Sequence, residues 1–84
     1  MSIINYDIAI DATGLACPLP LLRIRKTLAT LEEGQVLYAI ATDPDSLKDI
    51  QAFSRITKND LLKFFEKESK YHFFIRKGTR TMQI

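Results

Sequence analysis

Apolar and polar positions along the chain fall into period-two alternations and helical stripes that succeed one another. Tyr6, Ile8 and Ile10 alternate with Asp7, Ala9 and Asp11, which places one side of a strand over Ile3 to Asp11 against a core. From Pro18 to about Leu31, the residues Leu21, Ile24, Leu28 and Leu31 recur at helical spacing, with Arg23, Lys26 and Thr30 opposite. Gly34 suits the left-handed residue that closes such a helix. Gln35 to Thr42 has few polar interruptions and predicts a strand buried on both faces or nearly so. Asp43-Pro44-Asp45-Ser46 then starts a second helix with a capping acid and a proline in the first turn. Leu47, Ile50 and Phe53, with Ile56 beyond, are its stripe.

Periodicity fails between Lys58 and Lys70. Leu61 and Phe65 would serve a short helix, and Leu62 and Phe64 would equally serve a strand. Tyr71, Phe73 and Ile75 alternate with His72, Phe74 and Arg76 in an aromatic-rich strand that needs a neighbour. A hairpin from 61–67 to 71–77, turning at Glu68-Ser69-Lys70, supplies one. The expected fold is a βαβαββ two-layer sandwich: a four-stranded mixed sheet with two helices on one face. Thr79 to Ile84 carries no assignment.

Eighty-four residues suit a single domain, 1–84, with one core and little margin. With 46% hydrophobic and 26% charged residues the chain reads as a soluble globule. It has no apolar run near the roughly 20 residues that span a bilayer, and no basic-then-apolar start, so the expected place is the cytoplasm, away from membranes. Twelve basic and ten acidic residues give +2, which does not argue for direct nucleic-acid binding, and no aromatic-glycine motif supports RNA binding by the sheet. The balance shifts from −1 up to Thr42 to +3 beyond it, a mild asymmetry of solvated charge.

The chemistry centres on Cys17, the only cysteine. It lies where the first strand gives way to the first helix, in Asp11-Ala-Thr-Gly14-Leu-Ala-Cys17-Pro18-Leu-Pro20. A lone cysteine is often a small buried hydrophobe. A helix end after a glycine loop is an unusual place for one, so Cys17 is expected to be reactive. Pro18 restricts Cys17 to extended backbone and suits the first helical position, which favours a helix starting at Pro18, while Pro20 pushes Leu19 away from helical angles and leaves a start at Pro20 open. The Leu19 N–H is then the expected donor to the sulfur. The helix dipole should lower the thiol pKa, by less than about one unit at an accessible site with two proline-blocked donors. Gly14 serves the loop turn. Asp11 either hydrogen-bonds loop amides to hold Cys17 in place or is a plain exposed acid. Asp43 and Pro44 read as helix-start architecture.

A hydrolase cysteine needs a base, and the only histidine, His72, falls in the last strand as a surface residue. A dithiol mechanism lacks its second cysteine, and no cluster of soft ligands would hold a metal. What remains is a thiol that accepts a group and passes it on, and a persulfide fits that role without a cofactor.

Asp11-x-x-Gly14-x-x-Cys17-Pro18-x-Pro20 resembles the signature of the TusA/SirA-like sulfur-carrier family, and Asp43-Pro44 and Ile75-Arg76-Lys77-Gly78 match it in kind and spacing. The resemblance covers most of the chain. It implies a hairpin near the C-terminus and a persulfide on Cys17, with Asp11, Gly14, Pro18 and Pro20 as supporting residues. It further implies sulfur received from a cysteine desulfurase or another sulfur donor and relayed to an acceptor protein, toward tRNA 2-thiouridine formation or other sulfur pathways. A carrier that must expose its cysteine and release both partners is expected to be a monomer. Arg23, Lys26 and Arg76 could form a docking rim, although each taken singly reads as a solvated charge. The alternative is a regulatory or redox-sensing interaction module of the same fold.

Overall fold

The computed structural model of the protein describes residues 5–78. It contains β1 (Ile8–Ala12), α1 (Leu19–Leu28), β2 (Val36–Ala41), α2 (Asp45–Ile56), β3 (Asp60–Lys67) and β4 (Lys70–Arg76). The four strands form one sheet in the order β1-β2-β4-β3. β1 and β2 are parallel, and the other two pairs are antiparallel. The βαβαββ mixed sheet is thus present as expected. Among the described residues no helix is long and apolar enough to cross a membrane.

Both helices lie on one face of the sheet. Ile24 and Leu28 of α1 and Ile50 of α2 meet Ala12, Leu37, Ala39, Ala41, Phe73 and Ile75 in one buried cluster. Phe73, Ile24, Leu37, Ile50 and Ile75 are the largest apolar side chains fully inside it, each contributing about 1.5–3 kcal/mol by burial. The strand between Gln35 and Thr42 differs from its reading: burial alternates along β2, because the opposite sheet face has no helix layer. That open face carries aromatic rings instead. Tyr38 lies 4.7 Å from Phe74, and Phe65 stacks on His72 at 4.6 Å.

Several boundaries move, each for a local reason. Ile3 and Ile4 of the expected first strand lie outside the described residues, as does the tail 79–84. Tyr6 does not share a side with Ile8 and Ile10. It precedes β1 and packs its ring on Tyr38, 5.2 Å away on the open face. The first helix ends at Leu28, short of Leu31, because Thr30 and Leu31 N–H turn to the carbonyls of Thr27 and Leu28 three residues back. Lys77 Nζ donates to the Leu28 carbonyl at 2.6 Å, so a cation from the far end of the chain satisfies this helix end. Gly34, at φ +91°, serves the connection into β2 instead of the helix cap. Ile56 is 82% exposed, not part of the α2 stripe.

The segment that resisted reading is a strand with a register shift between Leu61 and Lys63. The irregularity puts Leu61 opposite Ile75 and Lys63 opposite Phe74. One extra residue on β3 breaks the two-residue period. The hairpin loop is Glu68-Ser69, both at positive φ (55° and 64°), the handedness that matches the twist of the flanking strands.

Candidate functional site

The loop from Thr13 to Pro18 sits at the carboxyl ends of the parallel pair β1 and β2, where sheets of this kind place their ligand crevices. Side chains and backbone turns hold it. Asp11 Oδ1 accepts the Thr13 N–H at 2.9 Å and the Thr13 hydroxyl at 2.7 Å, and these bonds lower its pKa. Asp11 therefore faces the loop, the first of its two readings. Gly14 takes φ +80°, a conformation open to glycine, and its N–H donates to Thr42 Oγ1 just past β2. Leu15 packs against the core and Ala16 accepts the Leu19 N–H at 2.8 Å.

Cys17 is exposed at the end of this loop. Its backbone N–H donates to Asp43 Oδ2, and its thiol donates to Asp49 Oδ2 at 2.6 Å. Asp43 also accepts the Asp45 N–H through Oδ1 (3.0 Å) and the Ser46 N–H through its carbonyl (3.0 Å), so it belongs to the start of α2, but one residue before the N-cap, which is Pro44 and not the expected acid. It has a second task that the sequence reading did not give it: it fixes the cysteine backbone.

The electrostatics overturn the expectation of a lowered thiol pKa. The hydrogen bond to Asp49 raises it first, desolvation adds to that, and the charges of Asp49, Asp43 and Asp45 add further, to about 11. The local reason is geometric. The helix begins at Leu19 and not at Pro18, which occupies the N-cap position. The Leu19 N–H is used by Ala16, and the sulfur is turned to the carboxylates of α2 instead of the first turn of α1. A thiol beside like-signed charge keeps its proton.

Pro18 is exposed and Pro20, in the first turn of α1, is buried. Arg23 and Lys26 line an open cleft with Leu15, Leu19, Leu22 and Thr27. Leu19 and Leu22 are each nearly half exposed there, at 48% and 47%. Arg76 does not join them. It faces Val36 at the opposite end of β2 and pairs with Asp60 at 2.6 Å. His72 is part-buried on the open face, where Tyr38 OH and His72 Nδ1 share a 2.7 Å hydrogen bond. Asp49 and Thr42 were missed in the sequence. The available signal was Asp45 and Asp49, four apart on one helix, which puts two carboxylates on one face.

The arrangement offers one accessible sulfur, held with its proton, with carboxylates as its close ionisable neighbours. Residues 8–77 match the sequence model of the family described as Sulfurtransferase TusA. The chain is 51% identical over 74 residues to the sulfur carrier protein TusA of Allochromatium vinosum, covering 88% of this chain and 97% of that one. The crystal structure of a SirA-like protein from Desulfitobacterium hafniense superposes with a TM-score of 0.76 at 29% identity, covering 87% of this chain and all of that one (100%).

Proposed function

Since this chain belongs to the Sulfurtransferase TusA family, we propose that it is a sulfur carrier in which Cys17 holds the cargo as a persulfide. The observation that carries the reading is the placement of the only cysteine, exposed on a loop pinned by Asp11, Thr42 and Asp43 at the carboxyl ends of β1 and β2. Loading is a thiol exchange. Cys17 Sγ attacks the terminal sulfur of a donor's persulfide, and a new S–S bond forms as the donor's own S–S bond breaks. The donor sulfur leaves with the electron pair and takes up the proton that Cys17 gives up. Discharge is the same exchange with an acceptor thiol, so the step requires no cofactor.

Asp11, Gly14, Pro18 and Pro20 support the loop that presents Cys17. The Leu19–Leu22 surface flanked by Arg23 and Lys26 receives the partner, its leucines giving apolar contact and its cations selecting an acidic rim. Arg76, opposite Val36 at the start of β2 and paired with Asp60, is left out of that contact. The donor is a cysteine desulfurase or another sulfurtransferase, the acceptor a protein thiol on a route such as tRNA 2-thiouridine formation. The domain 1–84 acts in the cytoplasm as a monomer.

Radiolabelled sulfur from cysteine and a desulfurase tests this. Label should appear on the wild-type protein and be absent from Cys17→Ser. Wild type left unlabelled by several desulfurases would favour a redox-sensing module.

A further inference from the structure

The Cys17 sulfur and Asp49 Oδ2 stand 2.6 Å apart, room for a proton and for nothing larger. A persulfide adds a second sulfur about 2.05 Å from the first. Built along the same direction, that sulfur would overlap Oδ2. Charge acts in the same sense. A persulfide is a stronger acid than its parent thiol, so near neutral pH it brings a negative charge and no proton to donate. It would face the Asp49 carboxylate, with Asp43 and Asp45 adding charge of the same sign.

We propose that Asp49 distinguishes the empty carrier from the loaded one: it holds the bare thiol inward against α2 and turns the persulfide outward into solvent, where an acceptor reaches it. This rests on the sulfur-carrier reading and gives Asp49 a positioning role within it. In the empty state the thiol keeps its proton and reacts slowly with stray electrophiles. Loading exchanges that proton for sulfur, abolishes the hydrogen bond to Asp49, and replaces attraction by repulsion. Asp45 lies one turn before Asp49 on the same helix and makes no hydrogen bond to the sulfur, so it serves as the comparison.

The test uses the full chain, empty and loaded with sodium polysulfide, the loaded form being recognised by a mass gain of one sulfur. In the empty protein, Asp49→Asn should lower the pH midpoint of iodoacetamide alkylation by a unit or more, which is about tenfold faster reaction near neutral pH. Asp45→Asn should move the midpoint less. In the wild type, loading should shift the side-chain carboxyl carbon resonance of Asp49 to the position it has in Cys17→Ala, where the hydrogen bond is also missing. An alkylation midpoint unmoved by Asp49→Asn, or an Asp49 resonance unmoved by loading, overturns the proposal. Should Asp49→Asn not fold, the resonance comparison decides alone. A desulfurase that fails to label Cys17 counts against the carrier reading only, since polysulfide loading uses no donor protein.

Discussion

The carboxylate of Asp43 accepts the backbone N–H of Cys17 across 26 residues of chain, and with its other oxygen it accepts the Asp45 N–H that opens α2. One side chain therefore fixes the cysteine loop to the helix that faces it. Asp43→Ala should cost about 0.5–2 kcal/mol, the range for losing a side-chain acceptor at a helix start, and should slow sulfur loading because the loop no longer holds Cys17 in place, even though loss of the Asp43 charge by itself lowers the thiol pKa. Asp43→Asn keeps an acceptor oxygen and should retain most of the stability. Urea midpoints paired with loading rates check both.

The high thiol pKa also fixes a pH dependence of stability. Folded Cys17 titrates near 11, above the ordinary cysteine value of about 8.5, so the native state holds this proton more tightly than the unfolded chain. Its contribution is complete below about pH 8.5 and is lost as pH rises through about 11. The stability difference between wild type and Cys17→Ala, followed by urea unfolding, should fall across that window. Asp11 works in the opposite direction: its lowered pKa contributes above the ordinary carboxylate value and is lost as pH falls.

Gly78 marks a close approach of two backbones. A Cβ at this position would stand 1.7 Å from the Lys58 carbonyl oxygen, and the Gly78 N–H is held by Asn59 Oδ1 at 3.0 Å. Gly78→Ala should cost about 1–3 kcal/mol through forced backbone movement. Thermal unfolding would show it, with the loss coming from the Lys58 contact and not from the sulfur site.

Two isoleucines on α2 should separate core from surface. Ile50 is fully buried, and Ile50→Ala should cost about 2–5 kcal/mol. Ile56 is largely exposed, and Ile56→Ala should stay within about 0.5 kcal/mol of wild type. Denaturant curves of the two variants check the assignment of the α2 face.

The aromatic face can be probed without touching the cysteine. Tyr38→Phe removes the hydroxyl that bonds His72 and should cost about 1 kcal/mol. Labelling of Cys17 should be unchanged, since this pair lies on the sheet face that the helices leave open.

The fold was legible because its strongest signals are local. Ile24 and Leu28 in one helix, and Leu47, Ile50 and Phe53 in the other, repeat at helical spacing, and Tyr71, Phe73 and Ile75 alternate; these patterns end in the same core. The third strand was obscured because a bulge at Leu61–Lys63 adds one residue and cancels the alternation. Its turn gave no glycine or asparagine to announce positive φ, yet Glu68 and Ser69 adopt it. At the site, the motif around Cys17 was visible but its electrostatics were not. Helix-dipole reasoning considers the residues next to the sulfur in sequence, whereas its decisive neighbour, Asp49, lies 32 positions away. Tertiary contact outweighed the local dipole.

That distance has a consequence for copies that lose the native fold. The carboxylates that subdue the thiol are assembled only by folding, across 26 and 32 residues of chain. A misfolded or partly unfolded copy displays an ordinary cysteine, quicker to form mixed disulfides and to be oxidised than the native one. Cys17 thus reports loss of the native fold by its own reactivity.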